Sequence, residues 1–405
     1  RLRMISAARI PFTLSLCALG AALSLAACSK QEAAPAAGAA SGSASASATT
    51  AAAGAVEVLI GTVGPMSGGI AHIGKDVENG VRMAIDEINA SQPVIGGKPV
   101  HFKLVAEDDA GDPRQATTVA QKMCDAKVAG VVGHLQSGTT IPAADVYNKC
   151  GIPHVTPAAT NPDVTKAGYN TTFRVIANDN QLAEAVAASA AQQGVKTVAI
   201  VDDRTAFGQG LADTFEEAAK QNGMEVVVRE FTNDRATDFM PILTSIKARN
   251  PDAIMFGGLD AQGGPMLRQM QQLGMSQVKL LGGDPLCTER MPELSGNVAT
   301  VQNVICATGG ISVQRMQGGQ DWLQRYNKAY SGQFQIYSPY SYDATQVLVA
   351  AMKQADSTDP KVYLPKLAAL QYQGLTGEIS FTPRGELQKP AVTLYRFQDG
   401  KRVEQ

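Results

Sequence analysis

Two loops in the first half of the chain carry the residue types that hold a small anion. Gly133-His134-Leu135-Gln136-Ser137-Gly138-Thr139-Thr140 follows an apolar run at Gly130–Gly133 and opens a helical pattern. Such a loop presents free backbone N–H groups with the positive end of a helix dipole behind them. The hydroxyls of Ser137 and Thr139 add further donors. Thr156-Pro157-Ala158-Ala159-Thr160 repeats the arrangement after the apolar run Ile152–Val155. Two adjacent donor-rich loops suit one carboxylate. Loop composition alone leaves open the plainer alternative, that Ser137 and Thr160 only cap helices.

Nothing in the chain answers to a catalytic constellation. There is no Gly-x-Ser-x-Gly elbow, P-loop, His-Glu-x-x-His or dinucleotide glycine fingerprint after a strand. Gly64-Pro65-Met66-Ser67-Gly68-Gly69 has the spacing of a tight strand-to-helix turn, not of a phosphate cradle. His134 reads as a satisfied structural side chain. Asp108 and Asp109 read as helix-start or solvated acids rather than as a general acid–base pair. No cofactor and no metal site is expected, because no cysteine pair has Cys-x-x-Cys spacing and no histidine stands at ligand spacing from one.

These loops are positioned by alternating elements. Strands are expected at 56–60, 100–105, 130–133, 152–155, 197–201, 225–230 and 253–256. Helices are expected at 112–126, 139–148, 181–191, 206–221 and 239–248, with an apolar helical face through Val81, Ala84, Ile85 and Ile88. The alternation implies an α/β fold with parallel sheets covered on both faces. In such sheets ligands sit beyond the carboxyl ends of the strands, where both loops fall. A length of 405 residues exceeds a single core, so two lobes are expected. With 35 Lys+Arg against 37 Asp+Glu, no polybasic surface invites nucleic acid.

The first residues speak of location. Arg1, Arg3 and Arg9 precede an apolar stretch from Ile10 that ends in Leu25-Ala26-Ala27-Cys28. That is the pattern of a bacterial lipoprotein signal, with Cys28 as the lipidated residue and 1–28 as the signal. An Ala/Ser/Gly/Thr tract follows over 29–55 and reads as a flexible tether. Export to an oxidising compartment fits the remaining Cys124, Cys150, Cys287 and Cys306, an even set. Three pairings are possible, and the sequence-near Cys124–Cys150 and Cys287–Cys306 are favoured.

Six segments in order then carry a resemblance: Gly64-Pro65-Met66-Ser67-Gly68, Asp108 to Ala116, Gly133 to Ser137, Thr156 to Thr160, Phe207 to Ala212, and Phe256-Gly257-Gly258. From about Val56 to near its end the chain resembles the leucine/isoleucine/valine-binding proteins of bacterial branched-chain amino-acid importers. The resemblance implies a type I periplasmic binding fold, two Rossmann-like lobes joined by a three-crossover hinge. Lobe 1 would hold 56–177 plus 308–386, and lobe 2 would hold 178–307 plus 387–405. It implies that Ser137, Ala158 and Thr160 hold the ligand carboxylate and that Asp284, where the family has Glu, pairs with the ammonium. Phe207, Leu259, Ile73 and Tyr337 would line the side-chain pocket, the first two replacing tyrosines. Gly111 and Gln136 stand where the family prototype carries its disulfide.

The reading that follows is a monomeric, lipid-anchored, extracytoplasmic receptor without enzymatic activity. It would capture a branched-chain or similar aliphatic amino acid and present it to an ABC permease in the inner membrane. An aromatic or amide ligand in the same fold is one alternative, and a tethered ligand sensor is another.

Overall fold

A computed structural model describes residues 54–405. The signal with Cys28, and the tether up to residue 53, lie outside the described residues.

The first sheet is built around β1 (Val56–Gly64), whose Val58, Ile60 and Val63 are buried as a strand covered on both faces requires. On one side lie β2 (Val94–Ile95) and β3 (Lys98–Asp108), and on the other β4 (Gly130–Gly133), β5 (His154–Thr156) and β6 (Thr172–Arg174). All pair in parallel except β2 with β3. The intervening helices are α1 (Ala71–Ala90), α2 (Pro113–Asp125), α3 (Ser137–Cys150) and the short α4 (Asp163–Lys166).

The second sheet takes β7 (Thr197–Asp202), β8 (Glu225–Phe231), β9 (Ala253–Gly257), β10 (Lys279–Gly282) and β11 (Val304–Gly309) in parallel. Its helices are α5 (Asp179–Gln192), α6 (Ala206–Gln221), α7 (Met240–Lys247), α8 (Asp260–Gln272) and the short α9 (Met291–Leu294). Then α10 (Gly319–Ala329), α11 (Ser338–Ala355) and α12 (Pro360–Ala368) join the core of the first sheet through Trp322, Tyr326, Leu348 and Tyr363. The hairpin of β12 (Gln371–Gly374) and β13 (Gly377–Ser380) follows. Finally β14 (Val392–Gln398) and β15 (Lys401–Glu404) extend the second sheet antiparallel beside β11.

The orders β3-β1-β4-β5-β6 and β8-β7-β9-β10-β11 are the same winding, so the molecule is a topological duplication that no short-period sequence repeat announces. The chain passes between the sheets three times, after β6, β11 and β13. Close glycine contacts lock the second sheet: a Cβ on Gly208 would collide with the Gly257 carbonyl, which lets α6 lie directly on β9.

Several elements depart from the expected ones for visible reasons. Helix α1 starts at Ala71, well before the apolar face at Val81, and its first half buries polar residues, which erases the apolar period. Asp76 accepts from the backbone N–H groups of Gln335, Ile336, Tyr337 and Ser338, and Glu78 pairs with Lys75 and Arg82. Helix α8 contains Gly263-Gly264-Pro265 and so carries no helical signal; the glycines admit Leu286 and Leu294 against its backbone. Asp109 is a correction. It is fully buried rather than solvated, with Oδ2 at 2.8 Å from His134 Nδ1 and Oδ1 accepting from the Gly111 N–H. His134 is a satisfied side chain, its Nε2 at 3.0 Å from the Tyr147 hydroxyl.

Cys124 on α2 is bonded to Cys150 on α3, and Cys287 is bonded to Cys306 on β11. Gly111 and Gln136 lie against each other, so that a Cβ at 111 would meet the Gln136 amide at 2.5 Å. Among the described residues no helix is long and apolar enough to cross a membrane, and no group of His, Cys, Asp and Glu could hold a metal.

Candidate functional site

The carboxyl ends of both sheets face one cleft, and the two faces touch. Asn161, beyond β5, donates from Nδ2 to the Ala206 carbonyl at the start of α6 (2.6 Å). His72 Nε2 on α1 lies 2.7 Å from Asp260 Oδ2 on α8. A shared apolar cluster includes Ile73, Leu135 and Ala158 from the first face and Leu259 and Leu286 from the second.

On the first face the two hydroxyl-bearing loops are knitted together. Thr156 Oγ1 donates to the His134 carbonyl (2.9 Å) and accepts from the Ala158 and Ala159 N–H groups (3.3 and 3.0 Å). Ser137 is the first residue of α3 after its N-cap Gln136, and its Oγ accepts from the Asn161 N–H (3.2 Å). The N-cap of α4 is Pro162. Neither Ser137 nor Thr160 caps a helix; Ser137 Oγ is engaged only as an acceptor, which leaves its O–H to donate. The Thr160 hydroxyl is buried without a hydrogen-bond partner.

The second face meets this with acid. Asp284 opens a 3₁₀ turn (Asp284–Cys287) after β10 and is fully buried. Its Oδ2 accepts from the Gly309 N–H (3.2 Å), and its Oδ1 has no partner. Burial pushes its carboxyl up to about 7; the Gly309 amide opposes this and the charge of Asp179 adds to it. Asp179, the first residue of α5, is equally buried and both of its oxygens lack partners. Burial raises it to about 7 as well, against the opposing influence of Thr160 and Arg174. Thr160 and Asp179 are neighbours that meet no hydrogen-bond geometry with each other's side chains, though the Asp179 N–H donates to the Thr160 carbonyl (2.9 Å).

Tyr337 stands amid these acids. Burial, then the charges of Asp284, Asp179, Asp260 and Asp76, hold its hydroxyl far above its ordinary range. Asp76 fixes the Tyr337 backbone through its N–H (2.7 Å). Ile73, Ala158, Leu259 and Tyr337 fall in one buried cluster. Phe207 packs instead with Leu211 and the α5–α6 core, its ring against Gly283 next to Asp284. At the mouth of the cleft a cavity of about 340 Å³ is lined from both faces, by Ser67, Gln136 and Asp112 opposite Arg235, Leu259 and Gln262.

Asp179 escaped the reading of the sequence. Asn178-Asp179-Asn180-Gln181 forms a capping box after β6, and an acid in a first helical turn is ordinary there. The signal that could have found it is position: it leaves the carboxyl end of a strand, as the other loops do.

What this arrangement can do is bind a small zwitterion without bond chemistry. Neutral donors on one side await an anion, and unpaired acids on the other await a cation. A periplasmic binding protein family model matches residues 57–401. An amino acid binding protein of Pseudomonas aeruginosa is 32% identical over 85% of this chain and 91% of its own length. A Leu/Ile/Val-binding protein homolog 3 of Brucella melitensis is 30% identical over 86% of this chain and 93% of its own. The crystal structure of a leucine binding protein from Thermotoga maritima superposes with a TM-score of 0.78 at 26% identity, covering 86% of this chain and 97% of that one. The fold is that of the type I periplasmic binding proteins, and the chain belongs to their branched-chain amino-acid-binding family.

Proposed function

We propose that this chain captures a branched-chain or similar aliphatic α-amino acid between two closing lobes, 56–177 with 308–386 and 178–307 with 387–405, and delivers it to an ABC permease. In this reading Ser137, Ala158 and Thr160 receive the carboxylate, and Asp284 together with Asp179 receives the ammonium. Ile73, Leu259 and Tyr337 surround the side chain, and Phe207 backs the turn of Asp284. The observation that carries the reading is the pair of fully buried acids whose free oxygens stand beside the unpartnered Thr160 hydroxyl. A buried acid without a donor is costly, and an ammonium supplies three N–H groups in one place. An aromatic acid without an amine would leave both acids unpaired, which disfavours that alternative.

The lipid anchor at Cys28 is part of the proposal and rests on Leu25-Ala26-Ala27-Cys28. It predicts that Cys28→Ser yields a protein released from membranes. The ligand reading is tested by calorimetric titration of residues 56–405, stripped of ligand by partial unfolding, with leucine, isoleucine, valine and a wider amino-acid panel. One-to-one binding that disappears in Asp284→Ala is the expected result. Absence of binding by any α-amino acid would sink it.

A further inference from the structure

We infer that the side chain of the captured amino acid carries a hydrogen-bond donor of its own, received by Asp260 beside His72. This rests on the reading that an α-amino acid occupies the cleft. An ammonium brings three donors and no acceptor. The free oxygens of Asp179 and Asp284 number three, both from Asp179 and Oδ1 from Asp284, so the ammonium accounts for them. Two buried carboxylate oxygens on the second face are left over, Asp203 Oδ2 and Asp260 Oδ1, and of these two acids Asp260 is the one that acts on Tyr337. Asp260 is fully buried, and its Oδ1 has no partner.

Asp260 is held in place by other means. Its Oδ2 accepts from the Thr288 hydroxyl (2.6 Å) and lies 2.7 Å from His72 Nε2, which reaches over from the opposite face. His72 Nδ1 is likewise buried and unpartnered. Asp76, the remaining acid that acts on Tyr337, is saturated by four backbone N–H groups and the Tyr326 hydroxyl. Asp260 is therefore the acid near Tyr337 with a vacant oxygen that the α-ammonium does not use. Its chain neighbour Leu259, and His72's neighbour Ile73, both belong to the buried apolar cluster with Tyr337, so the pair borders the wall proposed for the ligand side chain. A hydrocarbon side chain would seal Asp260 Oδ1 and His72 Nδ1 from water while offering neither a partner. An aliphatic side chain carrying a hydroxyl, an amide N–H or an ammonium group satisfies the acid, and a charge-assisted bond there is worth about tenfold or more in affinity.

The test is calorimetry of the ligand-stripped protein with isosteric pairs in which a donor group replaces a methyl: valine with threonine, leucine with asparagine, norleucine with ornithine. In at least one pair the donor-bearing member should bind about tenfold or more tightly than its hydrocarbon partner. If no pair reaches that ratio while amino acids bind, this inference is overturned and the amino-acid reading stands. If no amino acid binds, both fall together. The panel on the unaltered protein decides the matter even if Asp260→Ala fails to fold. Where that variant does fold, as judged by circular dichroism, the ratio in the winning pair should collapse towards one, and a retained ratio would overturn the assignment to Asp260.

Discussion

The two faces of the cleft share a winding and differ in how complete they are. On the face built from β1, β4 and β5, hydrogen bonds close on one another: Thr156 ties its loop to His134, and Ser137 is met by Asn161. On the opposing side, Asp284, Asp260 and the Asp179 that begins α5 keep free oxygens in a place sealed from water. The first face is closed but for a few atoms, the Thr160 hydroxyl and His72 Nδ1 among them, whereas the second leaves four carboxylate oxygens of Asp179, Asp284 and Asp260 without partners. In the proposed mechanism the ligand thus supplies the missing half of the electrostatics, and closure of the lobes depends on it.

That contrast is broken most directly at the acids. Asp284→Ala, and separately Asp179→Ala, should each weaken amino-acid binding by about a hundredfold or more, a loss of roughly 3 kcal/mol for a buried charged contact. The same changes should raise the melting temperature of the empty protein at pH 8, because each removes a carboxylate that burial disfavours. Calorimetry and thermal denaturation on the same samples check both signs. A variant that lost stability and binding together would mean that the acid is structural.

Titration sharpens the comparison next. The free Asp179 and Asp284 carboxyls are raised to about 7 by burial, from ordinary values near 4. A raised carboxyl binds its proton better folded than unfolded, so its contribution to stability is full below pH 4 and lost as the pH climbs through 7. The empty protein should therefore lose stability between pH 4 and 7. Binding runs the other way, since an ammonium needs both acids ionised. Affinity should rise roughly a hundredfold from pH 6 to pH 8 and then level off, with protons released on binding at pH 6. The first face contributes no such slope, so Asp284→Asn should leave only the shallower rise, about tenfold, that belongs to Asp179.

On the first face the penalties are smaller. Ser137→Ala or Thr160→Val removes one hydroxyl from a set of donors, and an affinity loss of about tenfold is expected. Carboxylate recognition is the thing removed, so the loss should vanish when leucine is replaced by leucine amide.

Legibility follows the same division. Strand-helix alternation and the loops at Ser137 and Thr160 are local patterns, and the resemblance to the family added Ala158 and Asp284. Asp179 was missed because its burial comes from packing against Thr160 across two loops, while its sequence setting is that of an ordinary capped helix start. Asp109 was misjudged for the same reason: its partner His134 is 25 residues away. Helix α8 hid behind its glycines and proline, and the polar first half of α1 hid its length. A sequence displays what residues do with their neighbours in the chain, and buried charge is settled by neighbours in space.

The smallest expected effect separates the two bridges. Cys124–Cys150 joins α2 to α3 at the side of the first sheet. Cys287–Cys306 instead anchors the turn that begins at Asp284 to β11, whose last residue Gly309 donates to Asp284. By loop closure each should stabilise the fold by about 3 kcal/mol. Replacing Cys124 and Cys150 by alanine should thus lower the melting temperature and leave affinity unchanged. Replacing Cys287 and Cys306 should cost similar stability and also weaken binding about threefold, because the acid is no longer held against the Gly309 amide. Equal binding by the two variants would show that the Asp284 turn keeps its geometry without the bridge.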